Sequence, residues 1–114
     1  MEKNEFNSIV LKHFDEIKKK YMFDKDNEWD GEEIGSTILI EDYLMPYVYT
    51  HLNDEQVMRK LSNLLEELLS LKDDFCEEVL YCSFFEKIHY EKTEKIFVAY
   101  FKKNTKEFFS QLKF

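Results

Sequence analysis

The chain of 114 residues has two glycines, one proline and two cysteines. So little glycine leaves few positions for tight turns, bulges or phosphate-cradling loops, which counts against sandwiches, barrels and nucleotide-binding folds. Two cysteines six positions apart, Cys76 and Cys82, point in different directions on one helix and are not expected to bridge. They read as reduced, buried thiols. No run approaches the roughly 20 apolar residues that cross a bilayer. The first ten residues carry two acids and no apolar core of a secretory leader, so a cytoplasmic protein is expected. Positive charge is also scarce: 24 Asp and Glu against 16 Lys and Arg give a net charge of −8. No nucleic acid and no membrane surface are expected as partners.

What remains is 44% hydrophobic, 17% aromatic and periodic in steps of three and four. This is one helical domain's worth of chain over residues 1–114. An all-α bundle of five or six helices is expected, with a solenoid-like stack as a variant and an α+β fold with a short strand pair as the lesser alternative. Phe6, Ile9, Val10, Phe14, Ile17 and Tyr21 place a stripe on a first helix over 3–21. Residues 22–36, with Asp24, Asp26, Asn27, Glu28, Asp30, Gly31 and Gly35, read as the longest loop. Segment 38–43 is helical or extended, and Pro46 suits the first turn of a new helix.

Asn53 with Gln56, or Asp54 alone, caps a helix whose Val57, Leu61, Leu64, Leu65, Leu68 and Leu71 share one face. Asp74 with Glu77 forms a capping box for a helix apolar over more than half its circumference, which should therefore lie centrally. Residues 95–101 favour a short helix over a strand. Asn104 with Glu107 caps a last one carrying Phe108, Phe109 and Leu112.

Charge is unevenly placed. Residues 1–21 sum to +1 and 82–114 to +3, while 22–33 sum to −5 and 34–81 to −7. One acidic group, Asp24, Asp26, Glu28, Asp30, Glu32 and Glu33, surrounds Trp29; a second comprises Asp73, Asp74, Glu77 and Glu78. Brought together, they make a surface that steers a basic protein partner, with Trp29 as an anchor. The plainer explanation is that the acids complement helix dipoles and maintain solubility.

Signals for chemistry are weak. Asp26, Glu28, Asp30 and Gly31 fit the start of a calcium loop, but the twelfth position is Thr37 where a bidentate Glu belongs. Cys82, Glu86 and His89 at i, i+4 and i+7 form a conceivable three-ligand metal set. That makes a metal-dependent sensor or enzyme the alternative reading. His13 and His51 have no nucleophile nearby in sequence, and Ser36, Ser62, Ser70, Ser83 and Ser110 lack a glycine-flanked elbow. The adjacent pairs Glu66-Glu67 and Glu77-Glu78 diverge by about 100° and read as solvated faces. No catalytic residue and no cofactor is expected. Eleven Phe and seven Tyr exceed what a small core must hide, so a structural homo-oligomer held by exposed rings is a further alternative.

The segments Leu44-Met45-Pro46-Tyr47-Val48, Leu64-Leu65-Glu66-Glu67-Leu68-Leu69, Val79 to Glu86 with Phe84-Phe85-Glu86, and Tyr100-Phe101 leading into Asn104-Thr105-Lys106 resemble a family of small, uncharacterised all-helical bacterial domains associated with toxin-immunity loci. The resemblance covers the latter two thirds and leaves the acidic segment outside. It implies a non-enzymatic cytoplasmic immunity protein that occludes a basic, nuclease-type toxin domain.

Overall fold

Seven helices and no strand build the chain in the computed structural model, which describes residues 1–114. The expected first helix is broken in two: α1 (Lys3–His13) and α2 (Lys18–Glu28) are separated by Phe14, at φ −126° and ψ 69°, and by a 3₁₀ turn over Asp15–Ile17. A straight helix over 3–28 would run about 39 Å, as long as the whole molecule at 39 Å. Bending at Phe14 lets Phe6, Val10, Phe14, Ile17 and Tyr21 bury in one core.

The second correction concerns the expected loop at 22–36. Its carboxylates do not break a helix: α2 continues to Glu28, supported by Lys20 reaching Asp24 at 3.0 Å across one turn. The helix ends where the backbone turns left-handed at Asp30 (φ 52°) and Gly31 (φ 78°), with the Gly31 N–H donating to the Lys25 carbonyl at 2.8 Å. Only 29–35 remain non-helical. A calcium loop starting at Asp26 is thereby overturned, since its first ligands lie on helix.

Helix α3 (36–49) is continuous through Pro46. Its middle, Leu39–Leu44, is a π-helical turn in which the Met45 N–H bonds the Ile40 carbonyl. The wider turn accommodates the residue without an N–H. Helix α4 (Glu55–Ser70) buries its leucine face, except that Leu71 lies past the helix end and is exposed, and is capped by Asp54, whose carboxylate accepts from the Gln56 and Val57 N–H groups at 3.0 and 3.3 Å. Helix α5 (74–90) is capped by Asp73 rather than Asp74, the Cys76 N–H donating to it at 3.1 Å. A second π-helical turn, Tyr81–Phe85, interrupts α5 where the buried Ser83 hydroxyl donates to the Val79 carbonyl at 2.5 Å.

Residues 95–101 form no strand; they contain most of α6 (Glu94–Val98). The last helix, α7 (Lys103–Ser110), is not capped by Asn104. Its cap comes from α4. The Glu66 carboxylate accepts from the Asn104 N–H at 2.9 Å, the Asn104 side-chain amide at 2.7 Å, and the Thr105 N–H and hydroxyl at 3.0 Å each. Glu67 lies 3.0 Å from His13 Nε2 and 3.3 Å from Lys12 Nζ. The pair is thus a set of inter-helix fasteners, not a solvated face.

As its breadth of apolar positions requires, α5 runs through the middle. Phe84 and Phe85 meet Phe97, Phe101, Phe108 and Phe109 at centroid separations of 5.4–6.3 Å. Phe84, Phe85, Phe97 and Phe101 belong to one cluster of 27 buried apolar residues, against which the partly buried Phe108 and Phe109 pack. The Cα radius of gyration, 13.6 Å, matches the ~13 Å expected of a globule of this length and excludes an extended solenoid.

Candidate functional site

The two π-helical turns of α3 and α5 pack side by side, and acidic residues stand on and beside them. Glu41 and Asp42 of α3 and Cys82 and Glu86 of α5 line a shallow open groove that Tyr90 closes at one end, with Glu78 one turn before Cys82 on α5. Burial pushes the Cys82 thiol up, and the negative charges of Glu86, Glu78 and Glu41 push it further. Those three carboxylates therefore act on one point. Outside the groove, Glu28 of α2 comes near enough to α3 for its charge, like that of Asp42, to act on the Tyr43 phenol, which burial and Asp24 already push up.

Glu28, Asp42, Glu41, Glu78 and Glu86 thus form a ridge across α2, α3 and α5. None of the five makes a salt bridge, and Lys87, the one cation lining the groove, is held by Glu91 at 2.9 Å.

The first acidic group expected from sequence is divided by the fold. Asp24 is buried, accepting from the Tyr43 hydroxyl at 2.5 Å and Lys20 at 3.0 Å, which together hold its carboxyl below the ordinary value. Glu33 is half-buried between Asn7 at 2.9 Å and Lys25 at 3.5 Å. Trp29 is half-buried against the core and offers no free-standing anchor. Asp26, Glu28, Asp30 and Glu32 stay exposed and without salt bridges.

In the second group, Asp73 pairs with the Met1 amine at 2.7 Å while capping α5. Asp74 and Glu77 lie in the first turn of α5, where carboxylates favour the helix dipole. Only Glu78 joins the ridge. The N-terminal segment touches both groups: Met1, ahead of α1, reaches Asp73, and Asn7, within α1, reaches Glu33.

Position along α2 separates stabilising acids from costly ones. Lys18, Lys19 and Lys20 sit at its N-terminus and Asp26, Glu28 and Asp30 at its C-terminal end. Both charges oppose the helix dipole, so dipole complementarity does not explain them.

The chain matches, over residues 7–114, a family described as a domain of unknown function, DUF7674. It belongs to that family. The match takes in the acidic segment, which the resemblance noted from sequence left outside. No curated protein and no solved structure matches this DUF7674 chain.

Neither thiol in this DUF7674 member is set up for reaction. Cys76 is fully buried and its thiol is pushed up to about 11 by burial and by Asp73. Cys82 is exposed, contrary to expectation. It does not form a metal set with Glu86 and His89: no three His, Cys, Asp or Glu side chains are grouped so that they could hold an ion. His89 instead stacks on Phe114, at 4.3 Å between centroids, and lies 3.3 Å from Glu94. No helix is long and apolar enough to cross a membrane.

Sequence reasoning missed Glu41, Asp42 and Glu86 as partners of Glu28 and Glu78. They are spread over 45 positions, and only the side-by-side packing of α3 and α5 joins them. The dense apolar run through 38–52 and the broad apolar face of α5 were the available signals, because two helices that both bury most of their surface must lie together.

Proposed function

We propose that this protein is a non-enzymatic binding module that captures a basic protein through the ridge of Glu28, Asp42, Glu41, Glu78 and Glu86. The observation that carries the reading is that these five carboxylates, from three helices, have no salt-bridge partner within the chain. A row of like charges raises its own electrostatic energy, and a cationic partner lowers it while gaining encounter rate. The groove supplies shape: Tyr90, 68% exposed, offers a ring face to an arginine or lysine entering between Glu41 and Glu86. The finer proposal, suggested by the family resemblance and consistent with an acidic surface, is an immunity protein of the bacterial cytoplasm whose partner is a basic toxin domain.

The test is affinity capture with crosslinking from the native cell, followed by binding kinetics on the purified partner. The captured protein should be basic. The triple reversal Glu41→Lys, Asp42→Lys and Glu86→Lys should slow association roughly tenfold or more at low salt. Undiminished association by the reversed protein would refute the ridge as the binding surface.

A further inference from the structure

We propose that the outward stripe of α2 pairs with the same stripe of a second copy, antiparallel, about a twofold axis passing between Met22 and Phe23. Lys19, Met22, Phe23 and Asp26 occupy i, i+3, i+4 and i+7 and so share one face. Tyr21 and Asp24, on the opposite side, are buried. Met22 is 41% and Phe23 65% exposed, two large apolar side chains adjacent on a helix that packs chiefly against the middle of α3.

The charge order along this stripe is its own complement. Reversing the direction of a second α2 about that axis sets Lys19 against Asp26 of the second copy, twice, and Phe23 against Met22 of the second copy, twice. It also sets the two helix dipoles antiparallel. The lysines that oppose the dipole of their own helix at its N-terminus then lie beside the carbonyl end of the other, and Asp26 lies beside the other's N-terminus. Unlike charges meet where each copy alone has charges in the wrong place.

The remaining charged positions fit. Lys20 and Lys25, which the same axis brings level, are occupied within the chain by Asp24 at 3.0 Å and Glu33 at 3.5 Å. Asp15 and Asp30 are the like-charged pair, and both lie beyond the ends of α2. One face of an 11-residue helix is smaller than a standard interface, so the dimer is weak and reversible. It uses Asp26 and none of the five ridge carboxylates.

Sedimentation equilibrium on the full chain, with no partner present, tests this. The apparent mass should rise from that of one 14.0 kDa chain towards twice that as concentration approaches the millimolar range. Lys19→Glu and Asp26→Lys should each abolish the rise, as should Phe23→Asp. An equimolar mixture of the Lys19→Glu and Asp26→Lys proteins should recover it, because a mixed pair restores one salt bridge as in the original and one in reverse. The Glu41→Lys, Glu86→Lys variant should dimerise as the original does. A chain that stays monomeric throughout overturns the proposal, as do single variants that still dimerise or a mixture that does not. Each of those results leaves the ridge standing, and loss of basic-partner capture by the ridge variant would leave the dimer standing.

Discussion

Replacing Glu66 with alanine removes the cap of a helix that lies 38 positions further along the chain. Two backbone N–H groups of α7 lose their acceptor, comparable to deleting an N-cap side chain, about 1 kcal/mol. The Thr105 hydroxyl, fully buried, is left without a partner, which costs a further ~1–2 kcal/mol. The sum, about 2–3 kcal/mol, is a large share of the ~5–15 kcal/mol that holds a domain together and lowers Tm on the order of 10 °C.

Urea unfolding followed by circular dichroism measures this directly, and pH adds a second axis. Burial on its own would raise the Glu66 carboxyl, but the donors from Asn104 and Thr105 hold it below the ordinary value. A carboxyl lowered in the folded state contributes fully above its unfolded pKa and loses that contribution as pH falls through the folded value. The gap in stability between the original chain and Glu66→Gln should therefore narrow as pH drops into the acid range. A Glu66→Ala protein within about 0.5 kcal/mol of the original would refute the cap. A gap independent of pH would refute the role of its charge.

Two further outcomes are expected. Lys92 holds φ 61° in a cap where the Thr93 N–H reaches the Ile88 carbonyl at 2.9 Å and the Lys92 N–H the His89 carbonyl at 3.1 Å. Lys92→Gly should therefore raise stability by about 0.5 kcal/mol, the left-handed strain removed exceeding the added freedom of the unfolded chain; a lower urea midpoint would count against that geometry. With Cys82 exposed and Cys76 fully buried, a thiol reagent should modify one thiol in the native protein and two after unfolding. The native reaction should quicken as pH rises, because burial and the neighbouring carboxylates hold the Cys82 thiol up and only its thiolate reacts; two native equivalents would contradict the burial of Cys76.

Much of the architecture is legible without coordinates. The leucine face of α4, the central position of α5 and the choice of helix over strand near Phe97 all follow from periodicity and composition. The misreadings share a physical origin. Acidic residues at 22–28 suggest a loop, although a carboxylate costs a helix only a few tenths of a kcal/mol unless a glycine or proline accompanies it. Asn104 reads as a cap because Glu107 follows at the third position, whereas the true acceptor, Glu66, sits on another helix and has no local signature. The acids of the sequence are likewise a mixture. Asp24, Glu33 and Asp73 are spent on internal contacts, and the free ones gather only through the pairing of α3 with α5. Local spacing reports faces; it does not report which faces meet.

The widened turns at Leu39–Leu44 and Tyr81–Phe85 each amount to about one surplus residue threaded into a regular coil. Excising a single residue there would wind everything beyond it round by about 100°. Glu86 and Tyr90 would then swing a quarter revolution away from Glu41, and the groove would lose one wall while every amino acid that builds it was still present. The aim of the acidic side chains is thus encoded by length as much as by identity.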